Sequence, residues 1–228
     1  MTTKLRAASF QDNAVTTAKI AADAVTAAKI PANAIGSSEL DLTANYTFTG
    51  TVAGTAMEKL ADVTISSAVS DVSTTGLSTN FDTYFVTFHL LPVADGPDLY
   101  FRIYSSDSEY TNASAHTYDM RNSNDNSQHR SSGNSYFRAN RHAICEQGEA
   151  AGGGISGEFT FLNAQSTTAT LKITGQSNYH MNGGTARVAD FYGGGFNATY
   201  PTVTMDGIKF YFSSGNIHSG RYRIYGIK

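Results

Sequence analysis

The sequence predicts an all-β protein whose main part is a jelly-roll-like antiparallel β-sandwich. Glycine (21), tyrosine (13) and phenylalanine (13) are plentiful, proline (4) is scarce, and only 15% of residues are charged. This composition is too aromatic for a disordered chain and too low in lysine, glutamate and leucine for a helical bundle. From residue 57 onward, alternating apolar and polar residues between polar turns predict eight or more strands in about 170 residues.

The chain before this region carries an internal repeat. Residues 13–42 divide into three ten-residue units, NAVTTAKIAA, DAVTAAKIPA and NAIGSSELDL. Large apolar residues recur once every five positions, at Val15, Ile20, Val25, Ile30, Ile35 and Leu40. A period of five fits neither a continuous helix nor a regular strand, so each unit is predicted to be a short extended piece followed by a helical turn.

The repeat also predicts a homotrimer. Ordering five residues costs about 5–10 kcal/mol of backbone entropy, whereas burying one valine or isoleucine returns about 1.5–3 kcal/mol. A single chain offers these side chains no partner, so several copies must share an axis, and three copies leave an axis narrow enough for them to fill. Residues 13–56 are therefore interpreted as a trimeric stalk with the six apolar positions as its core.

Residues 57–228 are interpreted as the head domain. Strands are predicted at 81–91, 98–104, 156–163, 168–175, 202–212 and 220–227, with weaker ones at 62–69, 135–144 and 185–199. The first of these, FDTYFVTFHLL, is apolar on both faces, which predicts burial on both sides or cover from a neighbouring subunit.

A polar segment interrupts this pattern. Ser105–Ser135 holds nine serines and five asparagines among 31 residues and is predicted to be a long loop, or a loop that carries one short hairpin. Tyrosine, asparagine and histidine side chains can stack on sugar rings and hydrogen-bond to sugar hydroxyls. A mobile polar loop without a ligand explains the composition equally well. The candidate receptor-binding residues are Tyr110, Asn112, His116, Tyr118, Asn122 and His129.

Several functional classes are not expected. A formal net charge of −3 without a basic cluster argues against nucleic-acid binding. Apolar runs stay short of the roughly 18 residues that membrane insertion needs. The GGGISG motif at 152–157 precedes a strand rather than a helix, and His142 and Cys145 lie three apart, on opposite faces of a strand. No catalytic residue, cofactor or metal is therefore predicted, and the protein is not expected to be an enzyme.

Three motifs resemble a known class of proteins. The tandem AVTTAKIAADAVTAAKI units, the YTFTGTV element at 46–52 and the closing GRYRIYGIK at 220–228 are similar to bacteriophage tail fibres and related virion fibres. The resemblance implies a trimeric fibre of the virion, assembled in the host cytoplasm. Residues 1–12 would dock on another virion structural protein, on tail, neck or capsid. The head would adhere to a host-surface glycan or protein; the alternative is a capsid-decorating, head-fibre or neck-linking protein that binds no receptor.

Overall fold

The computed structural model describes residues 57–112, 115–122, 128–142, 144, 153–180, 187–196 and 203–228. The chain divides into two units, Met1–Ala53 and Gly54–Lys228, and all described residues belong to the second. The predicted docking segment at 1–12 and the predicted stalk at 13–56, with its six apolar positions, lie outside the described residues.

The described residues form strands and no helix. The strands are β1 Met57–Ile65, β2 Asp71–Thr74, β3 Thr83–Pro92, β4 Leu99–Ser105, β5 Ser108–Glu109, β6 His116–Asn122, β7 Gln128–Asn134, β8 Phe137–Arg138, β9 Ile155–Leu162, β10 Lys172–His180, β11 Arg187–Phe196, β12 Gly207–Phe212 and β13 Ile217–Ile227. The predicted all-β class is thus confirmed.

The strands build two antiparallel sheets. The larger has eight strands in the order β1-β13-β3-β9-β10-β11-β6-β7, and the smaller has the order β2-β12-β4-β5, with β8 paired to β4. Neighbours in the sheet are often distant in sequence, so the topology depends on long-range pairing. Two antiparallel sheets of this kind are consistent with a β-sandwich.

Aromatic rings from both sheets make up the centre of the core. Phe101 on β4 lies 4.8 Å from Phe159 on β9, and Phe88 on β3 lies 5.4 Å from Phe210 on β12, measured between ring centroids. All four rings are buried. Since each buried ring of this size contributes roughly 1.5–3 kcal/mol, these contacts across the two sheets hold them together.

Alternation along β3 explains which face each residue takes. Tyr84, Val86, Phe88 and Leu90 point into the core and are buried, while Phe85 is half-buried and His89 is exposed. The prediction that one chain buries this strand on both faces is therefore wrong, because the outward residues retain solvent access. Cover from a neighbouring subunit stays a prediction.

The six stronger predicted strands are all present, with shifted ends. The predicted strand at 168–175 begins at Lys172 and continues to His180, and the one at 202–212 begins only at Gly207. The weaker strand at 185–199 corresponds to β11. The strand predicted at 135–144 shrinks to two residues, Phe137–Arg138.

Asn140 explains why that strand is so short. Its side chain is fully buried, its Oδ1 accepts a hydrogen bond from the Leu99 backbone N–H at 2.6 Å, and its Nδ2 donates to Asp98 Oδ1 at 3.1 Å and to the His142 carbonyl at 2.7 Å. A side chain that satisfies several backbone and carboxylate groups fixes an irregular path in place of a ladder. Asn140 thereby anchors the chain beside β4.

Candidate functional site

The polar segment forms a hairpin at one edge of the larger sheet. β6 pairs with β11 on one side and with β7 on the other, with a register irregularity between His116 and Thr117. One of the two predicted forms, a segment that carries a hairpin, is therefore the one observed. The two strands of the hairpin are the last two strands at this edge of the larger sheet, so the segment is part of the sheet and does not form a separate loop.

Strand alternation gives β6 an inward and an outward face, and the predicted receptor-binding residues His116 and Tyr118 lie on the inward one. His116, Tyr118 and Met120 point inward and are buried, whereas Asp119 is half-buried and Arg121 is exposed on the outward face. The period of two that defines a strand thus separates adjacent residues of the same polar segment.

The inward rings belong to the core. His116 is fully buried, with its ring centroid 4.6 Å from Phe137 and 5.1 Å from Phe196. Tyr118 is only 6% exposed and stacks on Tyr192 at 6.0 Å. The expectation that these two rings stand exposed on a loop is wrong, because the hairpin turns them under the sheet.

The other candidates have different surroundings. Tyr110 is partly buried against the core, 5.9 Å from the His116 ring, and His129 is half-buried, 6.1 Å from Tyr118. Asn112 is exposed, and its backbone carbonyl contacts His116 Nδ1 at 3.2 Å. The side chain of Asn122 lies outside the described part of the structure. The structure therefore brings the candidates together as Tyr110 with His116 and Tyr118 with His129.

Burial controls the ionisation of the two histidines. Desolvation lowers the pKa of His116 to about 4, against the opposing effect of hydrogen bonds with the backbone of Asn112 and Asn134. Desolvation also lowers the pKa of His129, and the charges of Arg138 and Arg141 act in the same direction. Both imidazoles are therefore neutral at neutral pH. In this form they can pack against other rings but do not attract an anionic ligand through a positive charge.

The outward face of the hairpin carries a groove made of two adjoining depressions. The first has a volume of about 410 Å³ and the second about 330 Å³, and they share Asp119 and Gly193. We call this surface the hairpin groove. Its lining residues are Thr117, Tyr118, Asp119, Arg121, Gln128, Arg130, Ser131, Ser132, Tyr192, Gly193 and Gly194.

The absence of a side chain at Gly193 keeps the groove open. A Cβ atom built there would meet no heavy atom within 4 Å, whereas one at Gly194 would lie 2.8 Å from the Tyr192 hydroxyl and 3.0 Å from the Thr117 carbonyl. Gly194 is therefore needed for packing, but Gly193 leaves open space. Gly193 and Gly194 therefore have different roles: Gly193 leaves the groove open, and Gly194 allows close packing.

Asp119 is the central polar group of the hairpin groove. Its Oδ2 accepts hydrogen bonds from Gln128 Nε2 at 2.6 Å and from Arg130 Nε at 3.0 Å. Among the described residues, neither Asp119 Oδ1 nor the terminal nitrogens of Arg130 have a partner. The carboxylate is held in place on one oxygen, so the other can accept hydrogen bonds from a ligand beside free guanidinium donors.

Comparisons with protein-family models, with curated proteins and with solved structures find no match to this chain. The geometry of the hairpin groove is therefore what supports a site. The described residues include no group of three or more histidine, cysteine, aspartate or glutamate side chains able to hold a metal ion. They also include no helix with the length and apolar character needed to cross a membrane.

One pair of residues has the chemical types of a base and a nucleophile. His89 Nδ1 lies 2.7 Å from Ser156 Oγ on the exposed face of the larger sheet. Burial lowers the pKa of His89, and within the described residues no carboxylate contacts its imidazole. A base without an orienting acid lacks the third member of a hydrolytic triad. Cys145, the other member of the His142–Cys145 pair, lies outside the described residues.

A second polar surface covers the smaller sheet, but its groups contact one another. Tyr100 stacks on Tyr136 at 4.0 Å, and the Arg102 guanidinium lies 5.0 Å from the centre of the Tyr211 ring. Arg102 also pairs with Glu109. Because these rings and charges are paired within the surface, they offer a ligand fewer free groups than the hairpin groove does.

Sequence reasoning found the segment but missed the residues that line its open face. Asp119, Arg130 and Gly193 are not among the sequence-predicted candidates, because a loop of this composition points to its aromatic rings. A signal was present in HTYDMRN, where apolar and polar residues alternate with a strand's period of two. Reading that alternation would have placed Thr117, Asp119 and Arg121 together on the polar face.

Proposed function

We propose that this chain is a bacteriophage virion fibre protein whose β-rich head binds a host-surface glycan through the hairpin groove. In this proposal residues 13–56 form a trimeric stalk, residues 1–12 dock on another virion protein, and the head has a jelly-roll-type arrangement. The repeat and the motifs that resemble virion fibres support the assignment to a fibre protein. The hairpin groove supports the proposal that the head binds a glycan.

One observation carries the glycan proposal. Asp119 presents a carboxylate oxygen next to the terminal nitrogens of Arg130 in an open groove on the protein surface, and none of these atoms has a partner among the described residues. Vicinal sugar hydroxyls both donate and accept hydrogen bonds, so an acceptor beside a donor fork matches them. The serine and threonine hydroxyls of the lining add further polar contacts.

A shallow site of this kind is expected to bind weakly by itself. A homotrimer would present three equivalent grooves, and several trimers on one particle would present more. Linked sites convert weak single-site binding into durable attachment, because each further contact forms at high effective concentration. The proposed stalk therefore has a functional role beyond spacing.

Binding of the full-length protein to a panel of immobilised bacterial surface polysaccharides tests the proposal. Gly193→Phe fills the groove with a ring in space that is otherwise open, so binding is expected to fall about tenfold or more while the melting temperature is unchanged. Thr64→Phe, at an exposed position on β1 at the far edge of the same sheet, is the matched control and should bind as the wild type does.

Three results would count against the proposal. A wild-type protein that binds no member of the panel would favour the alternative, a capsid-decorating, head-fibre or neck-linking role. A folded Gly193→Phe variant that binds fully would place the glycan outside the hairpin groove. Release of reducing sugar from a bound polysaccharide would instead indicate a depolymerase.

A further inference from the structure

We propose that the glycan bound in the hairpin groove carries a carboxylate and that Arg121 binds it. This inference rests on the proposed function and adds the chemical class of the ligand. Three features of the described residues support it: a cation without a partner, a positive local charge, and a spacing that fits one sugar ring.

Arg121 is an exposed cation of the groove. It lies on the outward face of β6, is exposed, and lines the second depression together with Gln128 and Gly193. Within the described part of the chain it has no ion-pair partner, although Asp119 lies two residues away on the same face. Asp119 is already engaged by Arg130 and Gln128, so its charge is compensated by Arg130 rather than by Arg121.

The local charge differs in sign from that of the whole chain. The groove lining contains two cations, Arg121 and Arg130, and one anion, Asp119, while the chain has a formal net charge of −3. Lys172 is exposed on β10 and is paired with Gly195 on β11, which in turn is paired with Thr117 on β6. Because Gly195 has no side chain, nothing at this position of β11 separates the side chain of Lys172 from Thr117. A cationic rim on an acidic protein attracts an anionic ligand selectively.

The spacing of Asp119 and Arg121 fits a single acidic sugar. Residues two apart on a strand lie roughly 7 Å from each other on the same face. Across that span, the Asp119 carboxylate can accept hydrogen bonds from ring hydroxyls while the Arg121 guanidinium pairs with a carboxylate at the other end of the ring. A guanidinium is well suited to this, because its planar fork binds a carboxylate with two parallel hydrogen bonds.

Polygalacturonate and its fully methyl-esterified form are the paired probes, since esterification removes the charge of each carboxyl group and adds only a methyl group. The full-length protein is expected to bind the free acid at least about tenfold more tightly than the ester. Arg121→Gln should abolish this preference, and Arg121→Lys should restore only part of it because lysine keeps the charge but lacks the fork. Lys59→Gln removes an equal charge at the far edge of the sheet and should change nothing.

Equal binding of acid and ester by the wild type, binding to neither polymer, or a full acid preference in a folded Arg121→Gln variant would each overturn the inference. The polysaccharide panel separates these failures from failure of the proposed function. If neutral glycans still bind in a manner that Gly193→Phe abolishes, glycan binding stands and only the carboxylate assignment is lost. If no glycan binds, both fail together.

Discussion

Buried His116 should make the head sensitive to acid. Burial lowers the pKa of this imidazole from 6.5 to about 4, so the histidine stays neutral in the folded protein where the unfolded chain would take up a proton. The resulting stability is fully present above pH 6.5 and is lost progressively as the pH falls from 6.5 towards 4. At about pH 5 the difference in proton binding amounts to about 2 kcal/mol of the free energy of unfolding.

Replacing the histidine isolates this contribution. His116→Phe and His116→Gln cannot titrate, and although each loses some packing or hydrogen bonding, that loss does not depend on pH. We expect the wild type to lose about 2 kcal/mol more than either variant between about pH 7.5 and pH 5. Because His89 and His129, whose pKa values burial also lowers, remain in all three proteins, their effects cancel.

Equilibrium unfolding in urea, followed by circular dichroism at one protein concentration, measures these free energies. The comparison depends on the change with pH and not on the absolute stability of each variant. If the wild type and both variants lost the same free energy on acidification, His116 would be protonated as easily in the folded state as in the unfolded one, and its assignment to the core would be refuted.

Two further predictions concern the core and the stalk. Asn140→Ala should destabilise the head by about 2–4 kcal/mol, because it leaves the buried Leu99 N–H without its acceptor; urea unfolding of this variant measures the loss, and a change under about 0.5 kcal/mol would contradict it. Truncation before Met57 should leave a folded head that trimerises less firmly; sedimentation of both proteins tests this, and a monomeric full-length chain would rule out the trimer.

In the hairpin, the sequence correctly singles out the aromatic rings of a polar segment but wrongly predicts that they are exposed. Tyr110, His116 and Tyr118 stood out as rings in a segment dominated by serine and asparagine. The sequence predicts that such rings contact a ligand, because the segment offers them little core of its own. The core that covers them is supplied by Phe137, Phe196 and Tyr192, which lie far along the chain or beyond a turn, and no local pattern reveals that contact.

The sequence did not predict β2, and it predicted β7 only as part of an optional short hairpin, for a related reason. β2 and β7 are edge strands, and neither DVST nor QHRSSGN carries a run of β-branched and aromatic residues. An edge strand forms because a neighbour offers it hydrogen bonds, as β12 does for β2 and β6 does for β7. Its own side-chain composition therefore predicts it poorly.

The sequence by itself determined the all-β class, the approximate positions of the main strands and the segment in which the candidate groove lies, while the division at the end of the repeat stays a prediction. These depend on composition and short-range periodicity, which are local properties of the chain. Only the tertiary structure decided which face of β6 meets solvent, that Asp119 and Arg130 form a pair, and that Gly193 opens a groove beside them. Those outcomes depend on the register between β6, β7 and β11, and β11 lies some seventy residues away in sequence. Register is fixed by burial of the whole core at once, so no local pattern could have determined it.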